Sequence, residues 1–472
     1  MFIYNIGGSE IKKILPIIII ILLVSSFSNI SIGEFTNNII YVDDDGSADY
    51  TRIQDAIDNS TDGDTIFVYN GTYYENIIID KSINLIGENK ESTSIIADSN
   101  TSNVIGIKIN NVSVSNLTIN GEAVSCGISI TSDYTIISDN HISSRNGIHI
   151  NSGNNTIIRN YIGGEGFWAI DLYPKSSFNK IIDNTLIAAS TGMYLLDSCR
   201  NNSIINNTII CNNSGIRLHT SNKNIIADND IFKGGLQLQD SYDNYVYNNS
   251  VNGKSLCYLE DVSDSIINQD FGQIIIIDCE NIIIENQSII DLRTGIHIYS
   301  SKNCIIQNNI ITHNNPVRGD GIQVVSCENT QIINNNISNL DAMDIRYSND
   351  TIISYNNIFN CRTGIFLKYC DKIEILKNIF VNNSLHIDFY FGSRNSIITM
   401  NNLIGHRIPS AFFCDPIDAN NTWHNNYWGR PKIFPKLIIG QLIIKEGPFP
   451  STRFWIKFDW HPAIKPFDIP HI

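Results

Sequence analysis

A single sentence recurs along this chain. "GIHINSGNNTIIRNYI", from Gly147, returns as "GIHIYSSKNCIIQNNII", from Gly295. Both belong to a longer series that includes "CGISITSDYTIISDNHI", "TGMYLLDSCRNNSIINNTII", "SGIRLHTSNKNIIADNDI", "DGIQVVSCENTQIINNNI" and "TGIFLKYCDKIEILKNIF". Each unit holds an apolar-x-apolar strand, a polar turn and a second apolar pair, then an Asn two residues before another apolar residue. That Asn runs through Asn140, Asn160, Asn184, Asn207, Asn229 and Asn249, and again through Asn308, Asn335, Asn356, Asn378 and Asn401. Most gaps are 20 to 24 residues. The 59-residue interval from Asn249 to Asn308 is close to three periods and reads as further units with the Asn signal blurred.

A period near 22 with two or three short strands per unit is the signature of a solenoid. Leucine-rich repeats need Leu at fixed places and a helical segment, and propeller blades need about twice the period; neither pattern is present. The remaining solution is an all-β fold, a single-stranded parallel β-helix of about 14 or 15 coils. Composition agrees: Ile makes up roughly a fifth of the chain, Asn is abundant, and Ala and Leu are scarce. Strand alternation turns the two Ile of "GIHI" inward and the His outward. Stacked Ile would form internal ladders, and the stacked Asn, in a left-handed turn conformation, would hydrogen-bond its neighbours.

The chain divides accordingly. Residues 1–33 read as a signal peptide: Lys12 and Lys13 precede the apolar run from Ile14 to Val24, too short for a comfortable membrane span, and "SIG" at Ser31–Gly33 offers small residues for cleavage. An uncleaved anchor is the alternative. Residues 34–104 read as the N-terminal cap and first coils, with a capping helix expected over Tyr50–Ile57 that places Ile53, Ala56 and Ile57 on one side. Residues 105–405 carry the repeats, and 406–472, rich in Trp and Pro, the C-terminal cap. A mature chain without a membrane span, extracellular or on the cell surface, is expected. Sequons such as Asn70, Asn111, Asn206, Asn286 and Asn420 fit export as a glycoprotein.

Several chemistries can be weighed from residue types alone. A net charge of -15 argues against nucleic acid as a partner. The run Asp43-Asp44-Asp45-Gly46 lacks the alternate spacing and later Glu of a calcium loop and reads as a turn. The 10 Cys include Cys199, Cys279, Cys327 and Cys370 at similar places just after the first strand of their units, which suggests buried thiols, with disulfides the alternative. Arg318–Asp320 spells "RGD" in an insertion between coils and is assigned no role.

The opening "YVDDDGSADYTRIQDAID…GDTIFVYNGTYYENIIIDKSINLIGEN", the internal "NGKSLCYLEDVSDSIINQDFGQIIIIDCENIIIENQ" and the closing "NTWHNNYWG" resemble NosD-like β-helix proteins of the pectin-lyase fold. The resemblance covers nearly all of the chain after residue 33. It implies a right-handed coil and an exported or surface location. It also brings two associations: copper delivery, from the family name, and sugar-active enzymes, from the wider fold group. Copper sites want clustered Met, Cys or His. The chain has 4 Met and 10 His, with no His-x-His and no Cys-x-x-Cys, so no metal site and no cofactor is assigned.

The outward column beside the first strand is the candidate for function. Aligned units stack Ser129, His149, Asp171, Tyr194, Arg217 and Gln237, with Tyr173 and His219 in the row two residues on. Later units give His297, Gln323, Asp344, Phe366 and His386, with Arg346, Lys368 and Asp388 beside them. Polar groups mixed with rings suit sugars, so His149, Asp171, Tyr173, Tyr194, Arg217 and His219 are candidate contacts for a polysaccharide or cell-envelope glycan. An ordinary solvated face is the alternative. A lyase or epimerase would need a base and a cation beside a carboxylate; His149, Asp171, Arg217, His386 and Asp388 are the candidates. Arg346, Lys368 and Asp388 could instead satisfy one another as a salt-bridge ladder. A structural or adhesive rod is the third reading.

Overall fold

The computed structural model describes residues 38–46, 48–98, 103–121, 126–164, 166–316, 318–405, 411–445 and 451–470. The signal-peptide expectation for 1–33 lies outside them. No helix among the described residues is long and apolar enough to cross a membrane.

The chain winds as a right-handed parallel β-solenoid of about 17 coils, more than the repeat count alone suggests. One coil shows the plan: Ile136–Ser138, His141–Ser144 and Ile148–Ile150 lie on three successive faces, and each pairs in parallel with its equivalent about one period later. Alternation puts Ile137, Ile142, Ile148 and Ile150 in the core, all fully buried. The helix Ile53–Asn59 takes up part of the first coil and buries Ile53, Ala56 and Ile57 over the open end. Arg52 makes no side-chain cap there. Glu75, from the coil below, accepts the Ile53 and Gln54 N–H groups at 2.8 and 3.0 Å. The acidic run is a turn: Asp43 accepts the Asp45 N–H, and Asp44 accepts the Thr72 N–H at 2.8 Å.

The Asn ladder forms, with two corrections. Within a row each ladder Asn donates its backbone N–H and its Nδ2 to the Oδ1 of the next, as Asn184 does to Asn207 at 3.0 Å for both, and Asn249 ends the first row with its Nδ2 on the Ile226 and Tyr247 carbonyls. The left-handed residue is the one before it: Asp183, Asn206 and Asp228 have φ of 56°, 55° and 56°. That residue turns the chain, so the Asn behind it can point inward and reach carbonyls of two coils. In the second series the ladder residue is Asn309, not Asn308, which is the left-handed one. Gln287 takes the place one coil earlier, and Asp459 ends the row by accepting from Asn426 N, Asn426 Nδ2 and Trp428 Nε1. The C-terminal cap is therefore a hairpin, Lys436–Lys445 with Ser451–Asp459, plus the buried Trp423 and Trp428. All ten cysteines are free and buried. Several alternate with Ser in a second ladder, as where Cys279 N donates to Ser301 Oγ and Cys327 N to Ser348 Oγ.

The interval that blurs the repeat holds a reversal. Ser250–Val251 pairs antiparallel with Lys254–Glu260 across Asn252–Gly253, whose φ values of 51° and 78° make the tight turn that Asn-Gly favours. Val251 lies opposite Lys254, and cross-strand partners share a face. Val251 points into the first stack, so Lys254, Leu256 and Tyr258 point the same way, while Cys257 pairs with Ile274 as core of a second stack. Reversing the strand would invert the winding; moving the core to the other side of the sheet restores it. Two right-handed stacks result, with Leu256 and Tyr258 packed against the core at the end of the first.

Candidate functional site

The first-stack column has the expected register: Ser129, His149, Asp171, Tyr194, Arg217 and Gln237 pair in sequence. His149 Nδ1 lies 2.8 Å from the buried Asp171 Oδ2, and its ring meets Tyr173 edge-on at 4.1 Å. Arg217 lies over the Tyr194 ring at 5.1 Å and donates to Gln239 Oε1 at 3.2 Å. His219 Nδ1 sits 2.5 Å from Asp197 Oδ1. Tyr173 is 43% exposed, an open ring beside a fixed imidazole–carboxylate pair.

The second-stack column differs from expectation. Phe366 pairs with Asp388, so Asp388 holds the column place and His386 lies two residues upstream. The motif "LHI" imitates "GIHI", but here Ile387 and Phe389 fill the core. His386 is fully buried, 3.2 Å from Asn383 Nδ2 and against Phe380, and cannot reach an external substrate. The expected ladder Arg346–Lys368–Asp388 does not form. Arg346 instead grips Asp344 with two hydrogen bonds of 2.8 and 2.5 Å, and Lys368 lies over Tyr369 and Tyr390. Burial raises the Asp388 carboxyl to about 6, offset in part by Arg362. His297 is outward by alternation but 4% exposed, because the first stack covers it; burial lowers it to about 4.

The two columns meet at a corner. Gln273, fully buried, accepts the Leu236 N–H and donates to the Leu236 carbonyl, closing the edge of the last first-stack strand on that face, Leu236–Gln239. Gly235 allows this approach: φ is 69°, and a Cβ would fall 2.8 Å from Gln273 Oε1. Tyr242 stacks on Tyr299 with centroids 3.7 Å apart. Between the stacks lies a cleft of about 450 Å³, lined by Arg217, Gln237, Gln239, Arg293, His297, Asp320, Gln323 and Arg346, among others. That volume falls in the ~300–1,000 Å³ range of small-molecule sites. Asp320, expected in an exposed insertion, begins the strand Asp320–Val325 and faces this cleft. Its carboxyl is raised to about 7, by burial first and then by Asp344 and Asp341, against Arg346 and Arg293. Sequence reasoning missed Asp320 and Arg293. A local signal existed for the acid: Asp320 and Asp341 head successive units.

Two family descriptions match. Residues 258–440 match "Periplasmic copper-binding protein (NosD)", and residues 126–270 match "Right handed beta helix region". The chain is a right-handed β-helix protein, NosD-like over residues 258–440. No curated protein matches its sequence. Among solved structures, carrot pectin methylesterase is 15% identical over 47% of the β-helix chain and 85% of its own, with a TM-score of 0.39. The catalytic domain of a GH87 alpha-1,3-glucanase is 14% identical over 67% of each chain, TM-score 0.42. Pectin methylesterase PemA from Erwinia chrysanthemi is 14% identical over 47% of this chain and 91% of its own, TM-score 0.35. The side chains do not fit the copper of the family description. Among the described residues no three of His, Cys, Asp or Glu gather as a ligand set. The thiols face backbone carbonyls instead, as Cys199 Sγ does toward Leu196 O at 2.8 Å and Cys370 Sγ toward Ile345 O at 3.4 Å.

Proposed function

We propose that this β-helix protein is exported and binds an extended glycan along the first-stack column, without turning it over. One observation carries the reading. His149–Asp171, Tyr173, Tyr194–Arg217 and His219 stand in consecutive coils on one outward sheet, and that sheet runs into the corner cleft. Rungs about 4.8 Å apart present these groups as a regularly spaced row along the rod. Rings supply faces for C–H stacking, and the fixed imidazole, guanidinium and amides supply directional hydrogen bonds. The sequon residues Asn70, Asn111, Asn206, Asn286 and Asn420 are all exposed, which supports a glycosylated exterior.

The test is a glycan array followed by incubation of each hit with the protein. Binding without change of the glycan is the expected result. Unsaturated or epimerised product would replace this reading with a lyase or epimerase, and silence on the array would leave a structural rod. Where a glycan binds, Tyr173→Ala and Arg217→Ala should each weaken it by about 1 kcal/mol or more; unchanged affinity in both would move the site to another face.

A further inference from the structure

The corner cleft holds charges that do not pair off: Arg217, Arg293 and Arg346 line it together with the carboxylates Asp240 and Asp320, and of the three arginines only Arg346 makes an ion pair among the described residues, with Asp344. Arg217 meets a neutral amide oxygen and a ring. Arg293 is half-buried and makes no hydrogen bond or ion pair among the described residues. Burial does most to lower its pKa and the nearby Arg217 adds to that, while Asp320 and Asp341 act against them. Desolvated cations that no carboxylate meets by a hydrogen bond or close ion pair are costly. The amides beside them have donors to offer: Gln237 Oε1 is already taken by Ser214 Oγ at 2.6 Å and Gln239 Oε1 by Arg217, so both amide nitrogens remain.

We propose that the corner cleft is an anion subsite, holding one oxyanion of an acidic sugar, a carboxylate or a sulfate ester, between Arg217 and Arg293, with Asp320 as its proton-controlled gate. The sugar rests on the glycan reading; the oxyanion does not. Asp320 faces Arg293 from the segment before the strand Ile296–Tyr299, Asp341, Asp344 and Arg346 from the strand Asp341–Arg346, and Arg362 from the segment before Thr363–Lys368. Asp341 is held by Arg362 and Asp344 by Arg346. Asp320 has only a long contact from Gln323 Nε2, 3.4 Å. Protonated, it leaves Arg217 and Arg293 to the ligand. Ionised, it supplies the missing negative charge itself and repels a second anion. His297 stays neutral above pH 5 or so, since its pKa is about 4, and does not confuse the titration.

Calorimetry with glucuronic acid, glucose 6-sulfate, glucose and inorganic sulfate, at pH 5.5 and 8.5, tests this. The acidic sugars should bind and glucose should not. Affinity should fall roughly 30-fold between the two pH values, the change in protonated fraction of one group titrating near 7. Arg293→Gln should lose at least about ten-fold at pH 5.5. Asp320→Asn should keep binding at both pH values, and its thermal melt checks that it is folded. Equal binding of glucose and glucuronic acid, or the same pH dependence in Asp320→Asn, would overturn the subsite while leaving the glycan reading standing. Inorganic sulfate bound by a protein silent on the glycan array would do the reverse. Preference for carboxylate or for sulfate ester identifies the anion's source.

Discussion

Asn207→Ala puts the ladder to a quantitative test. Asn207 is buried, and its side chain makes five hydrogen bonds: Nδ2 donates to Ile181 O, Ile205 O and Asn229 Oδ1, and Oδ1 accepts from Asn184 N and Nδ2, all at 2.9–3.1 Å. Some partners have a substitute. Ile205 O still accepts the Asp183 N–H, Asn229 Oδ1 still accepts the Asn207 N–H, and Asn184 Nδ2 still reaches Ile157 O and Ile182 O. The Asn184 backbone N–H loses its acceptor. An orphaned buried donor costs about 1–3 kcal/mol, and the other lost bonds, most of whose partners keep a second contact, add about 1–2 kcal/mol together, for a total of about 2–5 kcal/mol. The loss should be local, since each coil of a solenoid leans on its neighbours alone. Amide hydrogen exchange should therefore show Asn184 and Asn207 opening by that amount, with the coils near Asn378 unchanged. The control is Asn206→Gly at the exposed left-handed position, where glycine fits φ of 55° and the cost should stay under about 1 kcal/mol. Equal effects in the two variants, or unchanged protection at Asn184, would refute the ladder as a source of stability.

Three further expectations follow from burial and geometry. Asp388 binds its proton more tightly folded than unfolded, so it weakens the fold as pH rises from about 4 to about 6, and the weakening is complete above that. The gain in denaturant midpoint from Asp388→Asn should grow over that window and then level off; a gain independent of pH would argue against a raised carboxyl. Gly235→Ala should lower the melting temperature and expose the Leu236 amide to exchange, because its Cβ meets Gln273 and its φ is strained for alanine. Calorimetric titration with copper should show no submicromolar stoichiometric site, and finding one would overturn the donor-set argument.

Much of this was written in the repeat. Two inward Ile per strand, an inward Asn per turn and a thiol after the strand are each determined by a few neighbouring residues, and stacking copies them faithfully. The left-handed residue was misplaced by one position because Asn is common at both places, as Asn206–Asn207 and Asn308–Asn309 show. His386 was misread because a two-residue shift along a strand preserves alternation and leaves the local pattern plausible. The Asn252–Gly253 turn carried a legible hairpin signal, but an interval near three periods invited three ordinary coils. The cleft could not be read at all: Arg217 and Arg293 are 76 positions apart and approach only because the core changes sides between them.

That change of side also separates what can vary from what cannot. Duplicating a whole unit before Asn140 or after Asn401 would lengthen one arm and leave every distance at the corner as it is. Duplicating one between Leu236 and His297 would push Arg293 a full rung, about 4.8 Å, away from Arg217. The corner is thus the fixed origin of the molecule, and the two arms are lengths that descent can lengthen or trim around it.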